Sequence, residues 1–293
     1  MRIAIDLQGL QNKGNSIRGI GRYVYSFVNS LIATYPDNHY FLIANGYLSD
    51  IRELFLNYIN NKNFNVFYSS WYGPEFSENL IIEKNVHYKI LEELHTYTFS
   101  RFNSDIILST SFFDGFEDDC VVTFNKEYYL SPIFTIFYDL IPLIYQKEYL
   151  DVNNEFKEFY LTRLERINDL DGLLCISKAS MEEAYKFLKF NKKNIFNISS
   201  ACDKNIFNLD KNDGVTSTIE LPEKYILYIG AADPRKNLIG LSRAYSNLDS
   251  SLKEIYKLVL VGKFTDNQKK QIILEIERFR ESKDRIIFLG YVS

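Results

Sequence analysis

At 293 residues the chain is long enough for two domains, each able to bury its own core. Its 46% apolar and 25% charged content is that of an ordinary globular protein, and its formal net charge of -4 excludes the basic domain a nucleic-acid binder would show. The 16% aromatic content, 22 Tyr and 23 Phe, spreads through every predicted element and reads as compositional bias rather than a stacking surface. In chain order, RIAIDL is a short buried strand, and a polar, glycine-containing loop runs from Gln8 to Ile20. Val24, Phe27, Val28, Leu31 and Ile32 then fall on one face of a helix. His39 to Ala44 is a strand ending at the Asn45-Gly46 turn signal, and Asn63 to Ser69 alternates as a second half-buried strand. Glu78 to Phe102 reads as helix, and Asp105 to Ser109, Val121 to Phe124 and Ile133 to Tyr138 as strands.

Phe156, Phe159, Tyr160, Leu164 and Ile167 mark another helical stripe. Gly172 to Ile176 is a strand, Ser177 an N-cap, Lys178 to Leu188 a helix, and Asn194 to Ile198 a last strand. Strands alternating with helices predict βαβ units and a mostly parallel sheet over residues 1–202. Residues 203–222, rich in Asn, Asp, Lys, Ser and Thr, read as a linker. A second α/β run occupies 223–293, with strands at Tyr225, Leu258 to Val261 and Ile286 to Leu289, and helices rooted at Leu238 and Gln268.

Three places carry chemistry. The first helix opens with Arg18-Gly19-Ile20-Gly21-Arg22, where glycines let backbone N–H groups approach a ligand and the helix dipole favours an anion; the alternative is a tight strand-to-helix turn with two solvated arginines. Asp139 follows the strand ending at Tyr138, placed for a sugar hydroxyl or a proton in transit, or else to cap a turn. Arg235 and Lys236 follow the strand YILYI and Gly230 at a helix start, where two cations suit a phosphate or diphosphate. Glu117-Asp118-Asp119 reads as a solvated loop, and His39, His87 and His95 do not have zinc-ligand spacing. Cys120, Cys175 and Cys202 are widely spaced and read as reduced, buried thiols of a cytoplasmic protein; no signal peptide or run of about 18 apolar residues is evident.

Taken in order, IDLQGLQNKGNSIRGIGRYVYSF, FYDLIPL, CISKASMEEA, YILYIGAADPRKNLIGL, LVLVGK and IIFLGYVS resemble the strand, loop and helix segments of the retaining glycosyltransferases of family 4. That resemblance implies an α/β, GT-B-like fold: two Rossmann-like domains with parallel sheets, binding a nucleotide-diphospho sugar in the cleft between them. It implies that Arg235, Lys236, Gly19 and Gly21 meet the donor diphosphate and that Arg18 and Arg22 contact acceptor or phosphate. Tyr138 and Asp139 would lie at the reacting sugar, with no metal and no cofactor beyond the nucleotide sugar. Tyr138 replaces the family's His, and a phenol cannot become cationic near neutral pH.

The family pattern continues past GYVS through a paired-glutamate segment that binds the donor's sugar and ribose. The resemblance therefore implies an incomplete second domain with an open sheet edge, and a complementing C-terminal chain as one partner. The expected activity is hexose transfer, mannose from GDP-mannose by subgroup resemblance, to a glycan or lipid-linked acceptor of bacterial surface polysaccharide. The expected location is the cytoplasm, at the inner face of the membrane with peripheral contact. Two rivals stand beside it: a non-catalytic remnant or half of a split enzyme that binds acceptor or a partner chain, and a Rossmann oxidoreductase. Gly19-Ile20-Gly21 lacks the third spaced glycine of that last fingerprint.

Overall fold

The computed structural model describes residues 1–12, 14, 16, 19–72, 84–116, 118–122, 131–202, 220–278 and 285–292, with only the backbone of 84–88 and 234. The chain divides into two compact units, Met1–Asn208 and Leu209–Ser293.

The first unit is built on seven parallel strands: β1 (Arg2–Asp6), β2 (His39–Asn45), β3 (Asn65–Trp71), β4 (Ile106–Ser109), β5 (Ile133–Phe137), β6 (Gly172–Cys175) and β7 (Ile195–Asn197). Their spatial order is β3-β2-β1-β4-β5-β6-β7, so the direction of winding reverses between β1 and β4. In register, Ile3 of β1 lies between Tyr40 of β2 and Ile106 of β4. Alternate residues of β1 serve opposite faces, as the period of a strand requires. Ile3 and Ile5 pack with one cluster and Ala4 with the other, beside Phe99 and Ile107.

Helix α2 (Gly19–Thr34) lays Val24, Val28 and Ile32 onto the Ile3–Ile5 face, all three fully buried. That stripe is the one the i, i+4, i+8 spacing predicts, and truncating such a buried Ile to Ala costs about 2–5 kcal/mol. Further expected helices are α3 (Lys84–Ser100), whose expected start over 78–83 lies outside the described residues, α4 (Asn154–Arg166) and α5 (Lys178–Phe187). Ser177 caps α5 by accepting from the Ser180 amide.

Two expectations change. The Gln8 to Ile20 loop contains a short buried helix, α1 (Gln8–Gln11), and α2 begins at Gly19. Val121 and Val122 are buried but belong to no strand, while Thr123 and Phe124 fall outside the described residues. The reason is where their backbone groups go. Gln8 Oε1 accepts from Val121 N at 2.9 Å, Gln8 Nε2 donates to Val121 O at 2.8 Å, and the Arg163 guanidinium donates to Val122 O. Side chains satisfy the polar groups that a ladder would otherwise need to pair.

The second unit has three parallel strands, β8 (Tyr225–Ile229), β9 (Lys257–Val261) and β10 (Ile286–Gly290), in the order β10-β9-β8. Helices α6 (Leu238–Ser246) and α7 (Asp266–Glu277) cover one face, bringing Leu238, Tyr245, Ile272 and Ile276 against Leu258, Leu260 and Ile286. A Thr265–Gln268 capping box starts α7. Among the described strands β8 is an edge, and its outward residues Leu227 and Ile229 are 47% and 69% exposed. The linker expected at 203–222 lies outside the described residues from 203 to 219. Of the three cysteines expected to be buried, Cys120 and Cys175 are, whereas Cys202, beyond the last strand of the first unit, is exposed.

Candidate functional site

In the second unit each apolar strand run ends on a glycine with positive φ: Gly230 at 152°, Gly262 at 146° and Gly290 at 73°. Hydrogen bonds step across them, from Gly230 N to Val261 O at 2.9 Å and from Gly262 N to Gly290 O at 2.8 Å. A Cβ on Gly262 would lie 2.0 Å from Gly230 O. The carboxyl edge of this sheet is therefore bare backbone, the place where open α/β sheets hold ligands. The loop after Gly230 makes a 3-10 turn over Pro234–Lys236, and Asn237, itself left-handed at φ 47°, caps α6 by accepting from Gly240 N.

This turn separates the two cations that the sequence sets side by side. Arg235 grips Asp233 with its fork, Nε to Oδ1 at 3.0 Å and Nη2 to Oδ2 at 2.8 Å. Lys236 is exposed, and its Cδ lies 3.4 Å from where a Cβ on Gly230 would be. Its stem thus runs along the bare glycine step. The two cations stand against the α6 dipole, and Asp233 answers the charge of the first. Lys263 follows Gly262 directly and sits over the Tyr291 ring, 5.7 Å from its centroid. Sequence reasoning passed over Gly262, Lys263 and Gly290; the signal was there in YILYIG, LVLVG and IIFLG, three apolar runs each closed by glycine.

In the first unit the structure brings three predicted segments together. Tyr138 and Asp139 leave the carboxyl end of β5 in a turn fixed by α5: Ser180 Oγ donates to Tyr138 O, and Leu140 N donates to Glu183 Oε2 at 3.0 Å. Asp139 Oδ1 accepts from Ile141 N at 3.0 Å, the turn-capping arrangement. The Tyr138 hydroxyl donates to Thr110 O at 3.0 Å, and burial raises its pKa far above the ordinary phenol value. The Tyr138 hydroxyl is thus committed to a backbone carbonyl. Tyr23, one residue past Arg22, meets Tyr138 edge-on with centroids 6.0 Å apart and donates to Ser199 O at 2.7 Å. The start of α2 is thus docked beside the Tyr138 turn.

The two helix-start glycines differ. A Cβ on Gly21 would lie 2.3 Å from Ser16 O, whereas one on Gly19 would meet nothing within 4 Å. Gly21 is buried and serves the packing of the loop; Gly19 is exposed and open to an approaching group. Arg22 is exposed on the same turn, and Arg18 lies outside the described residues.

Behind this surface lies a buried polar knot. Gln8 Oε1 also accepts from Asn45 Nδ2 at 3.0 Å, and Gln11 exchanges bonds with the Asn45 backbone, accepting from N at 2.8 Å and donating to O at 2.9 Å. Asn45 Nδ2 also donates to Asp119 O at 3.0 Å, and Gln11 Nε2 to Ser49 O at 2.9 Å. Asp6 takes Gln8 Nε2 and stands 3.3 Å from His95 Nε2, with both side chains buried. Asp114, nearby, has its pKa raised to about 7, chiefly by burial. Among the described residues no group of three or more His, Cys, Asp or Glu is placed to hold a metal ion, and no helix is long and apolar enough to cross a membrane.

Residues 212–293 match the family model described as "Glycosyl transferases group 1". The whole chain is 26% identical over 302 residues to the serotype-specific mannosyltransferase WbdA of Escherichia coli, of which it spans 35%. A second WbdA sequence from the same species is 27% identical over 216 residues, covering 72% of this chain and 26% of that relative. Solved structures similar over the full chain include a lipopolysaccharide outer core galactosyltransferase, WaaB, at TM-score 0.53, 13% identity and 69% of its length. Another is HepE of Anabaena in complex with UDP and glucose, at TM-score 0.57, 12% identity and 70% of its length. At such identities these two likenesses speak for the fold, an α/β GT-B architecture.

Proposed function

For a chain whose residues 212–293 match the group 1 glycosyl transferases, we propose a hexosyltransferase function in bacterial surface polysaccharide assembly. The sugar passes from a nucleotide-diphospho donor to a glycan or lipid-linked acceptor with retention of configuration. Mannose from GDP-mannose is the first reading, supported by the name of the curated relatives. The reaction is placed in the cytoplasm at the inner face of the membrane, where a lipid-linked acceptor is reached by peripheral contact.

The observation that carries this reading is the carboxyl edge of β8 and β9: bare glycine backbone flanked by Lys236 and followed by Lys263. Lys236 and Lys263, beside a backbone that a ligand can approach closely, suit a diphosphate whose negative charge grows as the glycosyl bond breaks. Lys236 is the principal ion partner. Arg235, forked onto Asp233, contributes by shaping the turn and by its charge. On the acceptor side, Gly19 and Arg22 present an open helix start, and Asp139 sits at the end of β5 for a sugar hydroxyl. Such a leaving-group site needs no metal.

Calorimetric titration with GDP and UDP tests the donor site. Binding is expected, with Lys236→Ala weakening it by about 1.5–3 kcal/mol, the worth of one charge-assisted contact, and Arg235→Ala by less. A second reading draws on the edge of β8 that no described strand pairs and its exposed Leu227 and Ile229: the chain acts with a complementing polypeptide that adds to this sheet. Absence of nucleotide binding at millimolar concentration removes the independent-enzyme reading and leaves the second.

A further inference from the structure

We propose that Tyr72 and Tyr47 form an aromatic platform for a pyranose ring of the acceptor, an inference that rests on the transferase reading above. Both tyrosines follow the carboxyl ends of neighbouring strands, Tyr47 two residues beyond β2 and Tyr72 one beyond β3. Their rings meet edge to face, with centroids 6.1 Å apart, and Tyr72 is 67% exposed. The ring of Tyr72 occupies space that a side chain on Gly46 would fill, since a Cβ there would lie 2.1 Å from Tyr72 Cε1. Gly46 N also donates to Trp71 O at 2.8 Å, tying the two strand ends together.

The platform is held rigidly from beneath. Tyr47 N donates to Asn45 Oδ1 at 3.0 Å, and Asn45 is the centre of the buried knot with Gln8, Gln11 and Asp119. A large aromatic on a fixed backbone offers contact area and loses little freedom when it is covered. The carboxyl ends of the strands are where a doubly wound sheet meets its ligands. The negative face of a phenol ring attracts the C–H bonds on one face of a pyranose, while the sugar's hydroxyls stay at the wet rim. In the connection after β2, Asp50 accepts from Tyr68 OH at 3.2 Å, and the Arg52 guanidinium lies over the Tyr68 ring.

The test is saturation-transfer difference NMR on the full chain with mannotriose as probe, beside GDP calorimetry on the same samples. Transfer to the pyranose C–H protons is expected for the wild type and for Tyr72→Trp. Affinity should fall about threefold to tenfold in Tyr72→Ala, the scale of one lost aromatic contact. Gly46→Ala should weaken the probe similarly by displacing the ring. Tyr35→Ala, at a tyrosine 57% exposed but at the opposite end of β2, should not change it. Undetectable transfer in the wild type, an unchanged Tyr72→Ala, or an equal loss in Tyr35→Ala overturns the platform. If GDP binds while the platform fails, this inference alone is lost; if GDP does not bind, the donor-site reading falls separately.

Discussion

Replacing Gly262 with Ala should unfold the second unit at conditions the first unit survives. Two contributions can be worked from the backbone. At φ 146° Gly262 is in a region that side-chain-bearing residues rarely enter, a strain of about 1–3 kcal/mol. The new Cβ would also lie 2.0 Å from Gly230 O and 2.8 Å from Gly230 C. Ordinary contact requires the ends of β8 and β9 to part by more than about 1 Å. That movement strains the Gly230 N to Val261 O and Gly262 N to Gly290 O bonds, each worth about 1 kcal/mol. Together these give about 2–5 kcal/mol, a large share of the roughly 5–15 kcal/mol that holds a domain. Hydrogen exchange followed by mass spectrometry reads both units in one sample. Peptides from β9 and α7 should lose protection while those from β1 and α2 keep it, and GDP affinity should fall at least about tenfold with the distorted edge. Wild-type protection of β9 in the variant, or equal loss in β1, would falsify the reasoning.

Two further outcomes follow from the first unit. Asp114 carries a pKa raised from 3.8 to about 7, chiefly by burial, with Asp118 and Asp6 adding to the rise and hydrogen bonds from Ser111 and Asn12 opposing it. Its stabilising contribution is complete below the unfolded carboxyl pKa and is lost as pH rises through about 7. At most about 4 kcal/mol is lost by pH 8, and urea denaturation at pH 5 and pH 8 should show Asp114→Asn flattening that dependence. An unaltered slope in the variant means the carboxyl does not titrate as described. Of the α2 glycines, Gly21→Ala should lose about 1–3 kcal/mol by driving a methyl into the Ser16 backbone, whereas Gly19→Ala should be neutral or gain about 0.5–1 kcal/mol in helix propensity. Thermal melts decide this, and a destabilised Gly19→Ala would contradict the open space around it.

The sheet of the first unit was legible because each strand is a short apolar run and each helix a stripe at spacing three and four. Local periodicity reports which face is buried, and burial dominates both elements. What it cannot report is a partner far away in sequence. Gln8 and Gln11 read as loop polars, yet they answer backbone groups of Asn45, Ser49 and Val121, between 34 and 113 residues on. The same distance hid the fate of Val121, whose apolar run looks like a strand while its hydrogen bonds go to Gln8. At the candidate site, Arg235 and Lys236 were visible as charges, but the grip of Asp233 on the first depends on the geometry of a 3-10 turn. Tyr138 could be read as lining a site from its place after β5; its commitment to Thr110 O depends on strand order.

The knot of Gln8, Gln11 and Asn45 bears on how such a surface can change over time. Three connections, after β1, after β2 and near Asp119, share hydrogen bonds that none can keep alone. An insertion or deletion in one of them strands buried amides in the other two. Loop lengths at this end of the sheet must therefore drift together or not at all. Anyone grafting loops between this chain and a relative should move the three connections as one block, leaving the exposed side chains of Tyr47 and Tyr72 as the places to vary singly.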